Sequence, residues 1–222
     1  MSMSPEVKGA LMGLGDAALF GLSAPLARLL LPTSGPLLLA ALLYLGGGTG
    51  LVLAGLMARL RPGASPRQEA PLARSDAPLL AGVILCGGML GPLLMLMGLA
   101  RLSGMTTSLL LNLEGPFTIL LALLLFGEHL GRRAALAAGC IFCGAAVLGL
   151  QMGEVRSNLL GVLCVTGACF SWAVDNNLTQ RLSLKDPIAV VRLKALGAGG
   201  CMLVLAPATV AEPTDPFAPL LP

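Results

Sequence analysis

Charge is scarce in this chain of 222 residues: Asp, Glu, Lys and Arg make up 11% of it, where an average soluble protein carries roughly 25%. A water-soluble globule needs a wetted surface, and this composition cannot make one. Histidine is scarcer still, with His129 the single example. No histidine therefore falls inside an apolar stretch to activate a serine, which removes support for a Ser-His hydrolase within the membrane. A Gly-rich loop with a lysine and a cluster of acidic metal ligands are both missing, so phosphate-handling chemistry has no footing. An intramembrane aspartic enzyme would need Asp16 and Asp175 to meet by tertiary accident, without flanking motifs. The cysteines Cys86, Cys140, Cys143, Cys164, Cys169 and Cys201 all lie in apolar stretches, where they act as small hydrophobes. Cys140 and Cys143 have no further Cys or His nearby with which to build a zinc or redox site. The expectation is a protein that is not an enzyme and needs no cofactor. Its net charge of +3 resides in the loops, so nucleic acid is not an expected partner.

What the chain does have is apolar length. Hydrophobic residues make up 56% of it and the mean hydropathy is +0.88. A helix needs about 20 apolar residues to match a hydrocarbon core about 30 Å thick. Seven stretches meet that length: Gly9 to Leu31, Pro36 to Ala58, Leu79 to Leu99, Met105 to Phe126, Ala134 to Met152, Asn158 to Leu178 and Pro187 to Pro207. The fold class expected is all-α integral membrane, a polytopic helical bundle of about seven transmembrane helices. The first stretch is too long, and Asp16 within it too polar, for a signal-peptide core. With the N-terminus inside, eleven basic residues fall on the inner side against Arg28, Arg101 and Arg156 on the outer side. The positive-inside rule then places the N-terminus in the cytoplasm of a multi-pass protein of the cell (inner) membrane. The long Arg59 to Ala77 connection is rich in Pro and Arg and lacks apolar periodicity, as a cytoplasmic loop should.

A weak self-similarity runs through the sequence. At a shift of 152, Gly9, Leu11, Gly15, Phe20 and Leu26 face Gly161, Leu163, Gly167, Trp172 and Leu178; at 151, Pro36, Leu42, Leu45, Gly46 and Gly48 face Pro187, Leu193, Leu196, Gly197 and Gly199. Five helices separate the copies, and an odd number inverts the second copy across the bilayer. Inverted repeats suit secondary transporters, whose similar halves exchange conformations to open alternately to each side. The expected division is residues 1–153 as a first five-helix repeat and 154–222 as a partial second, two helices and an outer tail. A second copy of the chain or a complementing chain would then be a partner.

The run Leu113-Glu114-Gly115-Pro116-Phe117, the apolar stretch to Phe126-Gly127-Glu128-His129-Leu130, and Gly139 and Gly144 in the next helix resemble the hallmark of the EamA family in the drug/metabolite transporter superfamily. Phe20-Gly21-Leu22-Ser23-Ala24-Pro25 is similar to the family's opening helix, and Val191-Arg192-Leu193 to its second. The resemblance implies ten helices in two inverted halves and transport of small metabolites or drugs, with this chain a shortened relative.

Ionisable groups inside a membrane cost roughly 2.5 to 3.5 kcal/mol on insertion scales and so point to function. Glu114 leads, at the centre of the fourth stretch. Pro116 lacks an N–H and displaces the carbonyl four residues back, that of Asn112. Glu114, Asn112 and a freed carbonyl are thus expected at one kink, as the primary contacts for a small-molecule substrate or a proton. Asp16, Asp175 and Trp172 are the secondary substrate-binding candidates. Arg192 and Lys194 could pair with Asp175, though snorkelling is the expected behaviour of long cationic chains near a helix end. Gly87 and Gly91, like Gly9 and Gly13, Gly46 and Gly50, Ala145 and Gly149, and Gly167 and Ser171, have the spacing for close helix packing. Pro25 and Pro92 should bend their helices. The function expected is alternating-access transport of a small organic solute. The alternatives are a non-transporting or truncated membrane subunit and, further off, an intramembrane enzyme.

Overall fold

The computed structural model describes residues 4–60, 70–126, 131–151 and 158–206. The Gly127 to Leu130 motif, His129 within it, the expected repeat boundary at 153/154 and the tail beyond Ala206 lie outside these residues.

Local chemistry sets each helix boundary. Helix α1 (Pro5–Ser34) opens with Ser4, whose hydroxyl accepts from the Val7 N–H at 3.4 Å, and with Pro5 in the first turn, where a missing N–H costs nothing. It ends at Gly35, whose positive φ of 68° suits a residue without Cβ and whose N–H donates to the Leu31 carbonyl at 3.0 Å. Pro36 then starts α2 (Pro36–Arg59) at once. The third rod begins with a short 3-10 turn (Arg74–Asp76), runs through α3 (Ala77–Val83), widens into a π-helical segment (Ile84–Leu90) and returns to α geometry in α4 (Gly91–Leu99). The expected Met105 to Phe126 helix is two pieces, α5 (Gly104–Leu111) and α6 (Glu114–Phe126), separated at Asn112 and Leu113. Pro116 explains the break, because it can supply no N–H to the Asn112 carbonyl. Then come α7 (Arg132–Gln151), α8 (Leu159–Gln180) and α9 (Pro187–Leu205). Asn158 caps α8 by accepting from the Gly161 N–H, and Asp186 caps α9 by accepting from those of Ile188 and Ala189.

Six helical stretches are long and apolar enough to cross a membrane, while the apolar part of α7, Ala135–Gly144, is shorter. Contacts between helix ends show that α7 runs from one end of the bundle to the other as well. Ala70 bridges to Lys185, and the Asp76 carboxylate pairs with the Lys185 ammonium at 3.0 Å. Four helical stretches separate these loops, and a chain returns to the side it left only after an even number of crossings. At the opposite end, Asn158 donates to the Arg101 carbonyl at 3.1 Å with α5–α6 and α7 between them. Omitting α7 makes both counts odd. Helix α7 therefore carries the described chain back to the opposite end of the bundle, and successive rods run antiparallel.

The outside of this bundle is as apolar as its inside. Leu14, Leu19, Leu29, Leu60, Leu124 and Val204 stand exposed, an arrangement that suits hydrocarbon and not water. Buried positions instead favour small residues: Ala168, Cys169, Ala173 and Ala198 are fully enclosed, so helix backbones approach closely and dispersion contacts accumulate. The broadest packing is between α2 and α9. A methyl at Gly48 would lie 2.7 Å from Leu196 Cδ2, and one at Gly199 2.8 Å from Leu45 Cγ. Gly48 and Gly199, like Leu45 and Leu196, stand 151 positions apart. Each helix thus presents its glycine to the other's leucine, the reciprocal contact that a two-fold axis produces.

Arg28 explains how α1 is held to this frame. Its face of Ala24, Ala27 and Leu31 packs on Met95, Leu96 and Leu99, and its guanidinium donates to the carbonyls of Leu99 and Leu102 at the end of α4. A cation there satisfies carbonyls that lack intrahelical partners and meets the negative end of the helix dipole. Arg28→Met should lower stability by about 1 to 2 kcal/mol, read as a drop in the thermal midpoint in detergent; an unchanged midpoint refutes the capping role.

Candidate functional site

Polar side chains inside the spans gather along α8, which packs against the third and fourth rods and is reached from α9 by Lys194. Two groups form on adjacent sides of α8, because its consecutive residues Asp175 and Asn176 point about 100° apart.

The first group centres on the π-helical segment. Gly87 stands midway along the third rod, and its missing side chain leaves the space that the Asp175 carboxylate fills. Gly91, four residues on, makes the same room for the indole of Trp172. The close-packing face expected from the spacing of Gly87 and Gly91 is therefore present, and a carboxylate and an indole occupy it. By contrast, Gly9, Gly13, Gly46 and Gly50 face open space. Asp175 is 5% exposed and pairs directly with Lys194 of α9; it also accepts from the Thr179 hydroxyl at 3.4 Å. Lys194 does not snorkel: seven residues into α9 its ammonium has a carboxylate in reach, and a direct ion pair inside the bundle outweighs extension toward the helix end.

The carbonyl of Gly87 is the polar hub of this group. In the π segment the Gly91 N–H reaches back five residues to the Cys86 carbonyl. The next donor in that register would belong to Pro92, which has none. Two side chains from other helices take its place: the Tyr44 hydroxyl of α2 donates to the Gly87 carbonyl at 2.8 Å, and the Trp172 Nε1–H at 3.3 Å. Tyr44 is the chain's single tyrosine, and its position on the sequence carries no motif. The signal that existed was Pro92 after a glycine pair in mid-span, which marks a carbonyl in need of a donor without saying which residue supplies it.

The second group surrounds Glu114. Its carboxylate accepts from the Asn176 side-chain amide at 2.9 Å; that amide also lies 3.3 Å from the Thr118 hydroxyl, which in turn donates to the Glu114 carbonyl. Asn177 donates to the carbonyls of Thr118 and Ala173. Asn112 does not take part. Its amide turns back along α5 to the carbonyls of Ser108 and Leu109, and the residue is exposed. The expected cluster of Glu114, Asn112 and a freed carbonyl is thus divided: at the α5–α6 break, the carbonyls of Leu110 and Leu111 meet the Cys169 thiol at 3.5 and 3.8 Å. Beside this break, the Phe117 ring meets those of Phe142 and Phe170 edge-on, with centroids 5.8 and 5.9 Å apart. Such T-shaped contacts hold α6 against α7 and α8.

Asp16 stands apart from both groups. It lies on the exposed stretch of α1, without a hydrogen-bond or ion-pair partner among the described residues. The structure thus brings Trp172 and Asp175 together on one side of α8 and Glu114 to the other, and leaves Asn112 and Asp16 outside.

A helical bundle with six stretches long and apolar enough to cross a membrane, apolar outside and with polar groups in its interior, defines a multi-pass α-helical membrane protein. The family profile described as the EamA-like transporter family matches residues 7–150, and the chain belongs to that family. It is similar to an "Uncharacterized transporter" of Methanothermobacter thermautotrophicus (strain Delta H), with 32% identity over 200 residues, 84% of this chain. The chain spans 57% of that relative's length. No solved structure matches it.

Proposed function

We propose that this protein is a secondary transporter of small organic metabolites or drugs that works by alternating access, not an enzyme. The observation that carries this reading is the pair of polar groups on α8, inside helices whose outer surfaces are apolar; groups so costly to insert are kept for a pathway through the protein. The reciprocal Gly48–Leu196 and Gly199–Leu45 contacts favour division into a repeat over 1–153 and a partial inverted repeat over 154–222, since inverted halves are how such transporters alternate. Glu114, Trp172 and Asp175 are the substrate-facing candidates, with Asn112 and Asp16 peripheral to them. Glu114 is half-buried and hydrogen-bonded only to neutral donors among the described residues, an arrangement suited to carrying a proton or meeting a cationic part of the solute.

We place the N-terminus in the cytoplasm and the protein in the inner membrane. Arg74, Arg181 and Lys185 belong to one end of the bundle and Arg28 and Arg101 to the other, the asymmetry that the positive-inside rule uses. A second copy or a complementing chain belongs to the same reading. Helix α1 is mostly exposed and α8 much more buried, and α8 stands where α1 does in the repeat. A mass measurement of the detergent-solubilised protein checks it, a strict monomer counting against.

The transport reading is tested with purified protein in liposomes and a panel of labelled small organic solutes, at two external pH values. The wild-type chain should accumulate or release at least one solute. Glu114→Gln should lower that flux at least tenfold and flatten its pH dependence. Flux that is undiminished and equally pH-dependent in the variant removes Glu114 from the mechanism, and no flux from the wild type favours a non-transporting subunit.

A further inference from the structure

The π-helical segment has a feature that the packing of a membrane helix does not require: its freed carbonyl is held from outside, by donors on two other helices. We propose that Tyr44 is a positioning residue of the conformational cycle, which together with Trp172 holds the Gly87 carbonyl and thereby keeps Ile84–Leu90 in its wide turn beneath the Asp175–Lys194 pair. Release of the two bonds lets the segment wind back into α register. That change shifts one part of the third rod against the other by one residue, about 1.5 Å along the axis and about 100° around it.

Three observations converge on this device. Pro92 withholds the N–H that would tie the Gly87 carbonyl within its own helix, so the wide turn depends on α2 and α8. Gly87 lies against Asp175, and the adjacent Gly88 lies against Ala198 and Lys194 of α9. Two consecutive glycines mean that a one-residue shift brings Gly88 to the place of Gly87, still without a side chain to strike the carboxylate. Finally, the hub joins α2, the third rod, α8 and α9, so a register change at one turn alters the seat of the buried ion pair and of Trp172 together. A bistable element that several helices share is what couples a local event to a rearrangement of the bundle. The geometry stands without a substrate; the part it plays in transport rests on the function proposed above.

Cys86 reports on the segment directly, being half-buried one residue from the hub, while Cys201 is exposed on α9 and takes no part in it. The test is maleimide modification of the full chain in liposomes, with each cysteine quantified separately by mass spectrometry. Tyr44→Phe removes one hydroxyl and no ring. It should speed Cys86 modification about tenfold, the scale of one lost hydrogen bond, and leave Cys201 unchanged. Pro92→Ala restores a backbone N–H, so in that background the effect of Tyr44→Phe should fall below about threefold. Unchanged labelling of Cys86, equal acceleration at Cys86 and Cys201, or a Tyr44→Phe effect indifferent to residue 92 each overturns the proposal. Loss of flux in Tyr44→Phe without faster Cys86 labelling also overturns it while leaving the transport reading intact.

Discussion

Asp175→Asn is expected to cost about 3 to 5 kcal/mol of stability, the range measured when one partner of a buried ion pair is removed. The loss comes less from the missing attraction than from what is left behind. Lys194 has 18% of its side chain exposed, and without Asp175 its ammonium remains in the bundle with no carboxylate at hand. The paired replacement Asp175→Asn with Lys194→Met should recover most of the loss, because it removes the stranded charge as well. Unfolding in mixed detergent micelles, followed by circular dichroism, compares the three variants with the parent. If the double variant is as unstable as the single, the ion pair is not the source of the effect. The same comparison made by flux separates stability from function: a stable double variant that no longer transports would assign the pair to the solute pathway.

Gly199→Leu should be almost as damaging, at about 3 kcal/mol or more, the upper part of the range for overpacking. A methyl at position 199 would already stand 2.9 Å from the Leu45 nitrogen and 3.1 Å from the Ala41 carbonyl. Backbone cannot turn aside as a side chain can, so α2 and α9 must separate. At Gly48 the nearest atoms belong to the Leu196 side chain, though the Leu196 nitrogen follows at 3.1 Å. Gly48→Leu should therefore destabilise in the same direction and by less. Equal tolerance of leucine at both positions, measured by thermal midpoint and by disulfide trapping between α2 and α9, would show that the two helices do not meet here. If the two-fold relation is correct, Leu45→Ala and Leu196→Ala should also cost similar amounts to each other, as equivalent knobs in equivalent holes.

How far these sites could be read from the amino acids varies residue by residue. Glu114 was legible because a carboxylate in an apolar stretch is conspicuous, and Pro116 announced the break between α5 and α6. The partner of Glu114 was not legible: Asn176 is 62 positions away, and its neighbour Asn177 has the same chemistry and a different role. Asn112 was misleading for the same reason. Proximity along the chain suggested that it would share the Glu114 site, but an amide at the end of a helical turn finds local carbonyls first. Lys194 illustrates the competition between snorkelling and pairing, which depends on whether an acidic group happens to lie within reach on another helix.

Composition and apolar length by themselves determined that this is a multi-pass helical membrane protein, because that follows from the cost of exposing backbone and charge to hydrocarbon; its family was legible from the motif around Glu114 and Pro116. Only the tertiary structure decided which polar groups meet. Tyr44 and Trp172 reach the Gly87 carbonyl, and Asp175 reaches Lys194, across gaps of 43, 85 and 19 positions. Such meetings are set by the rotation and separation of packed helices, and a linear pattern of residues carries no record of either.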